Sequence, residues 1–173
     1  MTTSIDPKDL SLRIYPDPIL KTESTPFELP LPDNIEDIAE RMLEIMYDHD
    51  GIGLAANQAG FTKRMIVYDL GGEEEDPHAL INPVIIKEDK KKVCGEEGCL
   101  SFPEIRAEVM RADSITIEGY DIRGEKVSFE CNELLAVMFQ HEIDHLNGIN
   151  FVDRLQPTEL MQVKHMLKEL ESY

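Results

Sequence analysis

The chain has 173 residues, 42% of them apolar and 30% charged, which suits one folded domain with a real core. No apolar run approaches the roughly 18–20 residues of a bilayer span, and the stretch from Met1 to Leu10 lacks a basic region followed by an apolar one, so no secretory signal is expected. A formal net charge of −18 repels phosphate backbones and anionic lipid, which argues against nucleic acid or membrane as the main partner.

In chain order, the first predicted element is an amphipathic helix over residues 33–48. Asp33 and Glu36 have capping-box spacing. Ile35, Ile38, Ala39, Met42, Leu43 and Met46 fall on one face at helical spacing, and Gly51 is near enough to end the helix. The segment Gly51-Ile52-Gly53-Leu54-Ala55-Ala56-Asn57-Gln58 then reads as a turn leaving that helix. Its two glycines permit close approach of another chain, but it lacks the third glycine or lysine of a phosphate loop. Residues 64–70 hold Met-Ile-Val-Tyr, a strand stopped by Gly71-Gly72. The acidic run from Glu73 to Asp76 reads as an exposed turn, without the spaced oxygen ligands of a calcium loop.

Residues 79–88 form a second predicted strand, with Pro83 marking an edge or a bulge. Lys90-Lys91-Lys92 is expected to be a solvated edge or loop. The Phe102-Pro103 pair suits an extended or turning segment at a strand end. Residues 114–120 alternate in strand fashion and pair with residues 125–130 across a turn at 121–124. A second helix is predicted over residues 132–147, with Gly148 just beyond it, and a third from Pro157 to near Leu170. The expected fold class is α+β: antiparallel strands packed around a central helix, with one helix before and one after, in a single domain spanning residues 1–173. Three cysteines, Cys94, Cys99 and Cys131, are too few and too odd in number for a disulfide framework, so a reducing, cytoplasmic location is expected. Cys94 and Cys131 read as core packing.

The second helix carries Gln140-His141-Glu142-Ile143-Asp144-His145. His141 and His145 are four residues apart, so on a helix their Cβ atoms lie about 5–6 Å from each other and both rings can meet one cation. Glu142, turned by about 100° from His141, can stand beside that cation as a general base without ligating it. Leu134, Met138, His141 and His145 share a face, so the ionisable groups project from the apolar side of the helix and need partners. A catalytic metal usually has three protein ligands and an open position. Two routes to a third ligand lie downstream. The position of a third histidine three residues past Gly148 is taken by Phe151, and Glu159 and Glu169 are candidates without strong placement. The other route is upstream, where Glu97-Gly98-Cys99-Leu100-Ser101 offers a thiolate, a good ligand for zinc or ferrous iron.

Taken together, the segment from Gly51 to Gln58, the segment from Glu97 to Ser101 and the segment from Gln140 to Gly148 resemble, in that order, the three signature motifs of peptide deformylases. The opening Ile14-Tyr15-Pro16-Asp17-Pro18-Ile19-Leu20 is similar to the family's N-terminal segment, so the resemblance covers nearly the whole chain. It implies a metal-dependent hydrolase that removes the N-formyl group from the N-terminal methionine of newly made polypeptides and releases formate. Cys99, His141 and His145 would then be the metal ligands and Glu142 the general base and acid. Gln58 and the Leu100 N–H would hold the oxyanion. Gly51, Ile52 and Gly53 would lie along the substrate backbone, with Leu134, Val137 and Met138 lining a slot for the methionine side chain. Glu97 and Arg106 match positions expected to pair beside the site, and Asp144 would support it. One departure is Glu133, where family members often have glycine.

The resemblance also implies ferrous iron as the metal, with zinc, nickel or cobalt able to take its place. N-formylmethionyl peptides are the expected partners. A transient contact with the ribosome through the last helix is a further expectation, to which Lys164, His165 and Lys168 add little, offset as they are by Glu159, Glu169 and Glu171. The alternatives are a zinc endopeptidase that uses His141, His145 and a downstream glutamate, and an inactive metal-binding module.

Overall fold

A computed structural model describes residues 4–173, so the first three residues of the N-terminal stretch lie outside it. The helices are α1 (Ile35–Asp48), α2 (Ala56–Ala59), α3 (Glu133–Leu146) and α4 (Pro157–Glu171). The strands are β1 (Gly53–Ala55), β2 (Met65–Tyr68), β3 (His78–Glu88), β4 (Lys92–Cys99), β5 (Phe102–Ala112), β6 (Ser114–Tyr120) and β7 (Lys126–Asn132). Five strands form one antiparallel sheet in the order β1-β2-β3-β6-β7, and β4 and β5 form a separate two-stranded sheet. Among the described residues no helix is long and apolar enough to cross a membrane.

Helix α1 lays Ile38, Met42 and Met46 into the main core, as its spacing predicts. Its start differs from expectation. The N-cap is Asn34, one residue after Asp33, and makes no side-chain capping bond, so the Asp33 capping box does not form; the Asn34 amide donates to the Ile5 carbonyl. Pro83 marks a bulge and not an edge: β3 is the central strand of its sheet, and its register slips between Ile81 and Val84, where Asn82 adopts φ 51°.

The apolar residues of α3 decide where the site lies. Every residue from Met138 to Leu146 is buried, so this helix is wrapped on all sides rather than lying on a surface. Gln140 ties it to the end of β5, accepting from the Ala112 N–H and donating to the Ala112 carbonyl, each at 2.9 Å. A second core holds Leu20, Phe102, Ile105, Val109, Phe151 and Val163, and joins the two-stranded sheet to α4. Each large side chain buried in these cores contributes about 1.5–3 kcal/mol relative to exposure.

Cys131 is buried, as expected, but Cys94 is exposed on β4, because its ladder partner Met110 lies on the half-exposed face of the small sheet. At the end of β2, Asp69 accepts from the Tyr47 hydroxyl at 2.6 Å, from the Gly71 N–H at 2.8 Å and from the Asp76 N–H at 3.0 Å. The Tyr47 bond first, and then the backbone donors, hold its carboxyl below the ordinary range against the effect of burial. A depressed folded-state pKa adds stability above the unfolded value of about 4 and loses it as pH falls through the lower folded value. The melting temperature of the wild-type chain should therefore exceed that of Asp69→Asn above about pH 5, with the gap closing below about pH 4. A gap independent of pH would contradict this account of Asp69.

Candidate active site

Four segments meet at one end of α3. The β4–β5 connection brings Cys99 and Leu100, α3 brings His141, Glu142 and His145, β1 brings Gly53, and α2 brings Gln58. The donor atoms of Cys99, His141 and His145 all lie within 4.8 Å of one another, the one group of its kind among the described residues. The Cys99 Sγ stands 3.2 Å from the His145 Nε2. One soft sulfur and two imidazole nitrogens at such separations suit a divalent ion bound at about 2.0–2.3 Å from each. Glu142 adds to the fit: it is buried beside the cluster, and its Oε2 has no hydrogen-bond partner.

Electrostatics separate the acidic groups. Burial pushes the Glu142 carboxyl up, with Glu97 adding to the rise and His141 and Arg111 opposing it, to about 7. A carboxyl that exchanges its proton near neutral pH suits a base that must later act as an acid. Burial also pushes Glu97 up, but hydrogen bonds from His141 and Arg111 outweigh it and bring that carboxyl down to about 2. Burial and the charges of His141 and Arg111 hold His145 well below its ordinary value, so its ring is neutral, the form that ligates metal. For His141 burial acts downward, while Cys99 and Glu97 raise it well above the ordinary value, so a metal there displaces a proton.

The ion pair expected between Glu97 and Arg106 is not formed. Arg106 pairs with Glu96 at 2.6 Å, both side chains being exposed. Glu97 takes two hydrogen bonds from Arg111, each at 3.0 Å, and its Oε1 lies 2.9 Å from the His141 Nδ1. The alternation of side chains along β4 and β5 explains the exchange. Gly98 stands opposite Arg106 and Glu97 opposite Ala107, so Glu97 shares the buried face with Arg111, four residues beyond Ala107, and Arg106 points to the other face. Arg111 was not singled out by the sequence, and no local motif marks it. It also reaches Asp144 at 2.6 Å, and Arg154 holds the same carboxylate at 2.8 and 3.1 Å. Asp144 is thus a buried anion between two arginines, behind the histidines.

A cavity of about 810 Å³ opens over the cluster. Gly51, Ile52, Gly53, Gln58, Leu100, Leu134, Val137 and Met138 line it, as does Arg106 at its rim. Leu12, His49 and Ile105 also line it, and nothing in the sequence pointed to them; Ile14, from the segment similar to the family's N-terminal one, lines it too. The glycine segment is more than a turn, since β1 and α2 form within it. At Gly53 an added Cβ would come within 3.1 Å of the Glu142 Oε1 and of Met138, so a side chain there would require both to give by a few tenths of an ångström. The Gln58 Oε1 accepts from the Ala55 N–H at 2.9 Å, which turns the Nε2 toward the Cys99 Sγ at 3.4 Å and the Ser101 Oγ at 3.2 Å. Glu133 adopts φ 53°, the left-handed region that favours glycine. A glycine there, as in the family resembled, would carry no strain.

Comparison with known proteins gives one consistent result. The profile of the family described as polypeptide deformylase matches residues 10–161. A peptide deformylase of Rhizobium meliloti (strain 1021) is 47% identical over 144 residues, covering 82% of this chain and 82% of that protein. A relative from Oryza sativa subsp. japonica, named as a chloroplastic peptide deformylase, is 41% identical over 159 residues, 91% of this chain and 59% of that protein. The crystal structure of a plant peptide deformylase superposes with a TM-score of 0.92 at 37% identity, over 98% of this chain and 92% of that one.

Proposed function

The chain belongs to the polypeptide deformylase family, and from that premise we propose roles for the residues gathered around Cys99, His141 and His145. The protein is a metal-dependent hydrolase that removes the N-formyl group from the N-terminal methionine of newly made polypeptides and releases formate. The endopeptidase and inactive-module alternatives are not favoured. The observation that carries the assignment of roles is the convergence of one thiol and two imidazoles within 4.8 Å of one another.

In this reading Cys99, His141 and His145 hold the ion. We take it to be ferrous iron, as the family resemblance implies, while the donor set itself also admits zinc, nickel and cobalt. A divalent ion held there supplies the positive charge that acidifies water and polarises the formyl carbonyl. Glu142 takes the proton of the attacking water and passes it to the leaving nitrogen. The Gln58 amide and the Leu100 N–H hold the carbonyl oxygen as it gains charge. The buried set of Glu97, Arg111 and Asp144 keeps His141 in place, as partners of metal ligands do.

Substrate binding follows from the edge of the main sheet. β1 is an edge strand, so its outer side offers backbone groups to an extended peptide. Gly51, Ile52 and Gly53 would run beside that peptide, and Leu134, Val137 and Met138 would take the methionine side chain. The catalytic unit is the whole chain, residues 1–173, as one domain. We extend the reading to a cytoplasmic protein that meets nascent chains in transient contact with the ribosome and binds neither nucleic acid nor membrane directly. Free cysteines at 94, 99 and 131 support the cytoplasmic location, and a net charge of −18 supports the lack of direct binding to nucleic acid and membrane.

The test is metal analysis of Cys99→Ser. A serine hydroxyl is a poorer ligand than a thiolate for these ions, so metal content and formate release should both fall. Full metal content with unchanged activity would remove Cys99 from the ligand set.

A further inference from the structure

Helix α2 is four residues long and carries Gln58, the amide proposed above for the oxyanion. A single helical turn does not hold itself, because fixing its backbone costs more than its few internal bonds return. Its neighbours must therefore set its direction. Two bonds come from the N-terminal segment: the Ser11 N–H donates to the Ala59 carbonyl at 3.1 Å and the Arg13 N–H to the Gln58 carbonyl at 2.7 Å. Toward α3 stands one side chain. Asn57 is fully buried, and its Nδ2 donates to the His145 carbonyl at 2.5 Å.

The chemistry of both ends fits this bond. A carbonyl only accepts, so the amide nitrogen is the atom that must face it. The Asn57 Oδ1 is buried without a hydrogen-bond partner, a cost that an apolar residue filling the same space would avoid. The His145 carbonyl lies in the last turn of α3, where the helical ladder ends. The Ile149 N–H, which would continue the ladder to it, donates to the Asp144 carbonyl instead. The Gly148 N–H meets the His145 carbonyl at 2.9 Å, and Asn57 is its second donor.

We propose that Asn57 is a positioning residue for Gln58. Its bond to the His145 carbonyl pins α2 to the end of α3 that bears the ligands, and so fixes where the Gln58 amide stands. The inference rests on the oxyanion reading of Gln58 above.

Of the two helices, α2 is the one free to move. α3 has 14 residues and is buried from Met138 to Leu146. Its last turn is also held independently of Asn57. The Leu146 carbonyl accepts from the Ser24 N–H at 2.8 Å and from the Arg64 Nη1 at 3.1 Å, and the same Arg64 nitrogen reaches the Asn147 Oδ1 at 3.0 Å. Loss of the Asn57 bond therefore displaces Gln58 and leaves His145 in place. Asn57 and Gln58 are adjacent, so a rotation of their one turn passes directly to the Gln58 Nε2. The bond of that nitrogen to the Ser101 Oγ, at 3.2 Å, is at the long end of the range and is a weak hold by itself. A displaced oxyanion donor fails in the transition state, whereas an extended peptide along β1 is still bound, so the loss falls on kcat and not on KM.

A double-mutant cycle on Asn57→Leu and Gln58→Ala separates positioning from mere packing. Deformylation kinetics are measured for the four proteins, zinc affinity by competition with a chromophoric chelator, and the Gln58 side-chain amide by proton–nitrogen NMR of metal-free wild type and Asn57→Leu. Asn57→Leu should lower kcat about 10–100-fold, the effect of a misplaced catalytic group. KM and zinc affinity should stay within about threefold of wild type. The Gln58 amide signals should shift or broaden. In the Gln58→Ala background Asn57→Leu should cost less than about threefold more, because the group it positions is already gone. An equal fold-loss in both backgrounds, a wild-type kcat in Asn57→Leu, unmoved Gln58 signals, or zinc binding more than about tenfold weaker would each overturn the inference alone. A wild-type kcat in Gln58→Ala would overturn the oxyanion reading and the inference with it. Should Asn57→Leu fail to fold, Asn57→Ala, which removes the donor without adding bulk, takes its place in the same cycle with the same expected and contrary results.

Discussion

Glu142→Gln is expected to lower formate release from a formyl-methionyl peptide by about 10²–10⁴-fold while the metal content stays that of wild type. Glutamine has nearly the shape of glutamate, so the packing against Gly53 and Met138 survives. What it loses is the ability to accept and return a proton. Nothing near Glu142 replaces that ability. The Glu97 carboxylate is engaged with Arg111 and His141, and Asp144 with Arg111 and Arg154. The Glu142 Oε2 makes no hydrogen bond that the substitution could break. Steady-state turnover with metal analysis on the same samples checks this. Wild-type turnover in Glu142→Gln would remove Glu142 from the mechanism.

The largest effect on stability is expected at Arg111. This side chain is 5% exposed and bridges Glu97 and Asp144, two carboxylates that are themselves buried. Arg111→Ala leaves both facing each other without their shared cation, a loss of about 3–5 kcal/mol. Lysine restores the charge but not the paired donors that meet Glu97 from two nitrogens, so Arg111→Lys should recover only part of the loss. Arg106→Ala is the contrast. Its pair with Glu96 is exposed on both sides, and such pairs are worth about 0–1 kcal/mol. Urea unfolding of the metal-free proteins gives the comparison. A large loss at Arg106 and a small one at Arg111 would reverse the assignment of the pair.

Those two arginines also show where reading the sequence stops. Three helices were legible: α1 repeats apolar residues at helical spacing, α3 carries its histidines on that same period and α4 opens on Pro157, whereas α2 lies in a segment that reads as a turn. The hairpin of β6 and β7 was legible from its alternation and turn. The sheet of β4 and β5 was not. Lys92, Gly95, Glu96 and Gly98 give β4 no apolar alternation, because the strand is mostly exposed and its one fully buried residue is the charged Glu97. Without its register, Arg106 and Arg111 are equally plausible partners for Glu97, and a shift of one residue moves every side chain to the opposite face. The ligands could be found because His141 and His145 lie on one helix and Cys99 falls in a recognisable segment.

The central claim is that Cys99, His141 and His145 hold an ion used by Glu142 to hydrolyse a formamide. The most direct measurement takes wild-type protein purified without oxygen and determines metal content, formate and free amine on one sample with a formyl-methionyl peptide. The account predicts bound divalent metal, formate and amine released in equal amounts, and activity lost on removal of the metal. Cleavage of an internal peptide bond without formate release, or formate release undiminished in metal-free protein, would contradict it.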